Sequence, residues 1–513
     1  MNSMPWLTIL TLVPLIGGII IVGLGVEQRR LARGLALTFS LVGLAGALCL
    51  WKLFDAASGD LQFVERHEWV KSLGIQYFLG VDGLGLLMVI LTAIVVPLSI
   101  FASWRIDDRA HIYNALALWL QAGLFGTFTA LNFFHWFLFW ELVLIPAFFL
   151  IKLWGGPKRG PAATQFFIYT MVGSVALLLS FLAIRLATGS FDFIELAAMA
   201  KSGVLAGKLG AAFGWKNIGL IVFFGAFLGF AVKVPVVPFH TWLPAAYTEA
   251  PSPVTMLLTG VMSKMGVYGF LRILLPIFPE QMRLMLTPLI WLAILTIVLS
   301  ACAAFAQRDL KRILAYSSIN HLGYCLLALF AMTGAASGVN LPELQKAAAL
   351  NGVLLQMFNH GLTASALFLF VSLIEKRSGG LRGLDDFGGL RKVIPVFTGL
   401  MGIALFSSLG LPGLNGFVGE FLIFKGVFPL VPWAAALSTI GLLVTAIFLL
   451  TLIQHVFSGP LNARWSKMPD LTLSERLLVL PAITLMFVLG IWPQFVLGMV
   501  DATAVKMVQQ LNF

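Results

Sequence analysis

Two lysines and a glutamate stand where charged side chains are rare. Lys233 lies in GLIVFFGAFLGFAVKVPVVPF, Lys264 in VTMLLTGVMSKMGVYGFL and Glu141 in FFHWFLFWELVLIPAFFLI. Each segment is apolar enough to sit at membrane depth. Ionisable groups there are costly, and they face a protein interior or a water-filled path rather than lipid. An ammonium or a carboxylate held in such a place can take up a proton and give it back. These residues therefore point to a polypeptide that moves protons or ions.

Histidines extend the pattern. Ser317, His321 and Tyr324 fall at i, i+4 and i+7 and share one helix face, and Gln356 and His360 do the same in the next apolar segment. Imidazole titrates near neutrality and both donates and accepts, which suits a relay. Each residue also has a plainer reading. Glu141 and Lys233 would serve as a static buried ion pair, and either histidine alone as an interhelical hydrogen-bonder. His135 and His240 lie near predicted span ends and are assigned structural roles. Asp82 follows a valine and precedes glycine at a helix start, the position of an N-terminal cap. Glu249, in a short loop, fits a helix-end contact or a proton entry group equally well.

The elements that must position these residues are helices. Of 513 residues, 59% are hydrophobic and 11% charged, against about 25% charged in soluble domains. Apolar runs of roughly 18–25 residues, long enough for a ~30 Å hydrocarbon core, recur along the whole chain. About fourteen are expected, centred near residues 15, 41, 93, 121, 144, 174, 230, 263, 296, 322, 362, 408, 443 and 488. The first, from Pro5 to Val26, lacks a basic leader and a small-residue cleavage site, so it reads as a retained helix. Cys49, Cys302 and Cys325 have no metal-ligand spacing and read as packing thiols.

A net charge of +11 suggests nucleic acid until topology is considered. With the N-terminus outside, the inner loops would hold more than half of the 33 basic residues, as the positive-inside rule expects. Both termini are then expected on the outer side. Two spans are broken by their own residues. Pro235 and Pro238 follow Lys233, and Ser407 to Gly416 is too rich in glycine and proline for a continuous helix. Non-helical backbone at this depth needs protein or water to satisfy it, and paired interruptions in two halves mark transporter repeats.

WELVLIP (140–146), KVPVVPFHTWLPAAYTEAPSPV (233–254), SKMGVYGFLR (263–272), YSSINHLGY (316–324), FNHGLTASALF (358–368) and GLPGLNGFVGEF (410–421) carry a family resemblance. GVDGLGLL (80–87) belongs with them. The chain resembles the antiporter-like subunits of respiratory complex I. Glu420, where other branches usually carry lysine, and the expected lack of a long lateral helix favour the M-type branch.

The resemblance implies an all-α integral membrane protein. It would hold about fourteen transmembrane helices, in two inverted five-helix repeats that each contain a broken helix. The expected boundaries are an N-terminal three-helix part (1–110), a first half-channel (111–275), a second half-channel (285–458) and a C-terminal helix (470–513). It further implies that Glu141 and Lys233 form a coupling pair and Lys264 a central relay. His321 and His360 would link that relay to Glu420, the terminal proton group. A carboxylate ~4 Å from an ammonium contributes about 4 kcal/mol at an effective dielectric of 20. Making or breaking such a pair could therefore switch a buried lysine between holding and releasing a proton.

The chain has no P-loop, no dinucleotide-binding fingerprint and no iron–sulfur cysteine set. By resemblance it is a non-redox subunit of NADH-quinone oxidoreductase, a proton translocase driven by quinone reduction elsewhere. FMN and iron–sulfur clusters are expected in partner subunits, no cofactor or metal is expected in this chain, and no nucleic acid is bound. Partners would be other membrane and peripheral subunits of complex I, neighbouring antiporter-like subunits included. The bacterial inner membrane is the expected location. A subunit of a multisubunit sodium/proton antiporter or of an ion-pumping membrane hydrogenase is the alternative. A membrane scaffold whose buried charges only lock helices is a third reading.

Overall fold

The computed structural model describes residues 4–215, 217–334 and 342–511. The protein is an all-α integral membrane protein. Thirteen of the fourteen expected span centres fall on helical elements, and the other, residue 263, lies at a turn inside the continuous span Ser252–Ile277. Ten helices among the described residues are long and apolar enough to cross a membrane, while Trp6–Val22 and Pro395–Leu409 are apolar but shorter. Length and apolarity alone thus leave the expected count of fourteen crossings open.

The helices are not equivalent. The most apolar stretches of Ser252–Ile277, Leu310–Ala331 and Pro342–Ser378 are 100, 94 and 94% buried, against 28% for Arg29–Leu53. The first three carry Lys264, His321 and His360 respectively, so these three groups lie on the innermost helices. Outer helices such as Arg159–Thr188 turn Ile168, Val172, Val175 and Leu179 outward, as lipid or a neighbouring subunit requires.

Both expected interruptions are present. Ile218–Lys233 stops at the lysine and resumes as Trp242–Glu249. Pro235 and Pro238 remove two amide donors, and the chain between is held from elsewhere. Val236 N–H donates to Ala231 O at 2.7 Å, Val237 N–H to the Thr296 hydroxyl at 3.1 Å, and the Trp242 indole to Val232 O at 3.0 Å. The second break separates Pro395–Leu409 from Asn415–Leu430. Gly410 and Gly413 take φ of +82° and +92°, which favours glycine. Gly416 packs so tightly that an added Cβ would lie 1.9 Å from Ser407 O.

One end of the bundle collects the basic loops. Arg33 pairs with Asp107, Trp154 donates to Asp108 O, and Lys158 N–H donates to Glu249. Arg382 bridges Asp309 and Thr248 O, and Arg377 reaches Pro469 O, Asp470 O and Glu475. These contacts tie seven chain segments into one basic face. The Arg33 guanidinium holds the Asp107 carboxyl below its ordinary range.

The opposite end holds two features that the sequence reading did not foresee. A two-stranded antiparallel hairpin, Gln62–Val70 with Ile75–Val81, covers the start of the first helix. Its Glu65 accepts from Leu7 N–H at 2.7 Å, placing a carboxylate on free helix-start amides. The C-terminal region is two helices rather than one, Leu473–Ile491 and Gln494–Leu511. The second lies across the end of the bundle, where the Thr503 hydroxyl accepts from Gly83 N–H and Asp501 from Asn351.

Candidate functional site

The helix carrying Lys264 is irregular on both sides of it. Leu258–Met262 and Phe270–Leu274 are π-helical turns flanking the α-helical Lys264–Gly269. In the first, Ser263 N–H reaches back five residues to Leu258 O at 3.0 Å. Thr259 O, which a regular helix would pair with that amide, instead accepts from the Lys264 ammonium at 2.5 Å and from the Ser263 hydroxyl at 3.0 Å. The π turn thus supplies the polar partner that a fully buried ammonium needs. Such turns concentrate at functional positions.

From Lys264 the ionisable groups follow one another across the bundle. The ammonium donates to Nδ1 of His360 at 2.7 Å. The His360 and His321 rings are 5.2 Å apart between centroids. Nδ1 of His321 donates to Oε1 of Glu420 at 2.8 Å, and Nε2 accepts from the Ser408 hydroxyl at 3.1 Å. Gln356 donates to the same Glu420 oxygen at 3.2 Å. Glu420 belongs to the helix after the second break, and its other oxygen would lie 3.1 Å from a Cβ on Gly410. The break brings backbone and carboxylate together. Asn415, at the start of that helix, is fixed by Ser407 and Asn359.

The other predicted pair is organised differently. Lys233 ends its helix and is 2% exposed. Its ammonium lies over the Trp140 ring, 4.8 Å from the centroid, a cation–π contact. Glu141 follows Trp140 in the chain, but no ion pair within 4.0 Å joins it to Lys233 among the described residues. Its Oε1 is buried without a hydrogen-bond partner. Glu141 and Lys233 are neighbours held apart, so the plainer alternative of a static ion pair is not made in this state.

The remaining assignments divide. Asp82 caps its helix by accepting from Gly85 N–H at 3.1 Å, and it also pairs with Arg272 at 2.5 Å. Glu249 makes a helix-end contact, accepting from Lys158 N–H at 2.8 Å. His135 packs on Tyr77, with ring centroids 4.5 Å apart. Cys325 is buried, whereas Cys49 and Cys302 lie on exposed helix faces and are not packing thiols within this chain. No group of three or more His, Cys, Asp or Glu side chains among the described residues is placed to hold a metal ion. Sequence reasoning missed Trp140, Thr259 and Ser408. Only Trp140, adjacent to Glu141, carried a signal in the sequence.

Comparison with known proteins gives the family and the fold. The family described as "NADH:quinone oxidoreductase/Mrp antiporter, TM" matches residues 130–447. The NADH-quinone oxidoreductase subunit M of Rhodobacter capsulatus is 35% identical over 99% of this chain and 97% of its own length. A chain of respiratory complex I from Thermus thermophilus superposes with a TM-score of 0.84 at 28% identity, covering 99% of this chain and all of that one. A chain of the Mrp complex from a Dietzia species shares the fold, with a TM-score of 0.82 at 20% identity and coverage of 99% and 100%.

Proposed function

Since the chain belongs to the NADH:quinone oxidoreductase/Mrp antiporter family of transmembrane subunits, we propose that it translocates protons as an M-type subunit of a redox-driven NADH-quinone oxidoreductase. The observation that carries the reading is the contiguous line Lys264–His360–His321–Glu420. Each member can hold a proton, and each lies within a hydrogen bond or one ring movement of the next. Lys264 passes a proton to Nδ1 of His360. That ring hands its other proton to His321, and His321 delivers to Glu420. Water or a small ring rotation closes the step between the imidazoles.

The first half works through a gap. Closing Glu141 onto Lys233 favours the ammonium, and opening it favours release, by up to about 4 kcal/mol at 4 Å and an effective dielectric of 20. A movement in a neighbouring subunit is then felt as proton transfer here. The two five-helix units, 111–275 and 285–458, act as half-channels with the broken helices at their centres. The basic face is cytoplasmic, and both termini lie on the periplasmic side of a bacterial inner membrane.

Electron transfer belongs to partners. Those partners carry the FMN and iron–sulfur clusters, and neighbouring antiporter-like subunits pack against the exposed apolar faces. The test is to purify the native assembly through a tag on this chain and assay NADH-dependent quinone reduction. Co-purifying flavin and iron–sulfur subunits with that activity are expected. A flavin-free assembly exchanging sodium for protons in vesicles would overturn the reading in favour of an antiporter, whose fold the Dietzia complex shares.

A further inference from the structure

A third lysine is buried and takes no part in the relay described so far. Lys311 opens the Leu310–Ala331 helix that also carries His321, and it is 3% exposed. The sequence places it in a cluster of loop charges, Arg308 to Arg312. The fold turns it inward. Its ammonium donates to Ala250 O at 2.8 Å and stands 3.5 Å from Glu375.

Glu375 organises the surroundings of that lysine. It accepts from the Ser252 hydroxyl at 2.7 Å and lies 3.3 Å from Arg382, which is itself held by Asp309 at 2.5 Å. A cavity of about 910 Å³ opens on the basic face, lined in part by Ser252, Pro253 and Glu375. Solvent therefore reaches the carboxylate, and the lysine stands behind it.

Inward of Lys311 the polar groups continue toward Lys264. Ser318 lies seven residues on, two turns and roughly 10 Å along the same helix face. Its hydroxyl is 3.0 Å from that of Thr259, whose carbonyl holds the Lys264 ammonium at 2.5 Å. Ser252, Thr255 and Thr259 form a second rail at i, i+3 and i+7 on the facing helix. The buried Tyr247 hydroxyl beside them has no hydrogen-bond partner, and an orphan polar group in such a place is where ordered water sits.

We propose that Lys311, served by Glu375, is the proton-loading group through which the Lys264 relay exchanges protons with the basic face. The proposal rests on the relay reading above. Cavity water protonates Glu375 or the Lys311 amine. The ammonium then gives one proton inward along Ser318 and Thr259 and is left as a neutral amine until the cavity reloads it. A static ion-pair role needs only a fixed positive charge, which arginine supplies equally well and never releases.

That difference sets the test, made on the intact membrane assembly. Lys311→Arg is expected to assemble with normal amounts of complex and to lose NADH-driven proton pumping into vesicles. Lys311→His, which can still exchange a proton, is expected to restore part of the pumping with its pH profile displaced toward acid, as imidazole's ordinary value near 6.5 requires. Ser318→Ala is expected to slow pumping without altering assembly. Normal pumping by Lys311→Arg would overturn the proposal. Should that variant not assemble, an unshifted pH profile in Lys311→His overturns it instead. Lys264→Arg is the control. If it too pumps normally, the relay reading falls; if it alone fails to pump, only the role of Lys311 falls.

Discussion

The two halves of this protein hold similar chemistry in opposite states of assembly. In the second half, His360, His321 and Glu420, together with the Lys264 that enters from the end of the first, already touch or nearly touch. In the first half, Lys233 rests on an indole and Glu141 keeps an unpartnered oxygen. A pre-connected line can pass a proton but has little to respond to. An unmade pair is the reverse, since its energy changes steeply with a movement of a few ångströms. The contrast assigns sensing to the Glu141 side and conduction to the Lys264 side.

The largest effect is expected at Lys264→Met. It removes the group that bridges Thr259 O and His360, and proton transfer through the second half should slow by at least about 10²-fold. NADH-driven acidification of vesicles should vanish while a native gel still shows the assembled complex. Loss of assembly instead would favour a scaffold role for the buried charges.

Glu420→Gln comes next. Pumping should fall, and the charge-assisted bond to His321 becomes a neutral one, a loss of about 1 kcal/mol. A thermal melt of the purified assembly should register that loss. Glu141→Gln sharpens the comparison, because it removes a charge without removing a contact. Its pumping should also fall, yet its melting curve should overlay that of the unaltered protein. A melting shift equal to that of Glu420→Gln would mean that Glu141 is paired in the membrane, and the contrast between the halves would be gone. Trp140→Leu is the mildest change. It takes away the ring over Lys233, about 0.5–2 kcal/mol of cation–π attraction, and should lower pumping partially, as read from proton uptake at limiting NADH.

Much of this was legible in the chain because membrane depth makes charges conspicuous. Lys233, Lys264 and Glu141 announce themselves in apolar runs, and prolines and glycines mark both breaks. The i, i+4 spacing placed His321 on one face with Ser317, the resemblance linked it to Glu420, and a hydrogen bond joins the two. The features that escaped depend on side-chain direction and packing. Lys311 sits among arginines in the sequence, yet it points into the bundle while Arg312 does not. The Glu141–Lys233 separation reflects helix packing, which composition does not encode. The hairpin at 62–81 escaped because its strands alternate weakly and lie between two strong spans.

The paired π turns around Lys264 have a consequence for engineering. Each holds one residue more than a regular turn, so each shifts the angular phase of the downstream residues by roughly 100°. Deleting Gly260 would remove the extra residue and its offset together, so the downstream residues would keep their phase and Lys264 would stay on the His360 side of the helix. A deletion within Phe270–Leu274 would be absorbed in the same way. Closing the first turn to a regular one with every residue kept would instead rotate everything beyond it by roughly 100° and carry Lys264 off His360. Each π turn is therefore a slot for one spare residue, and the chain can lose that residue there without turning the rest of the helix.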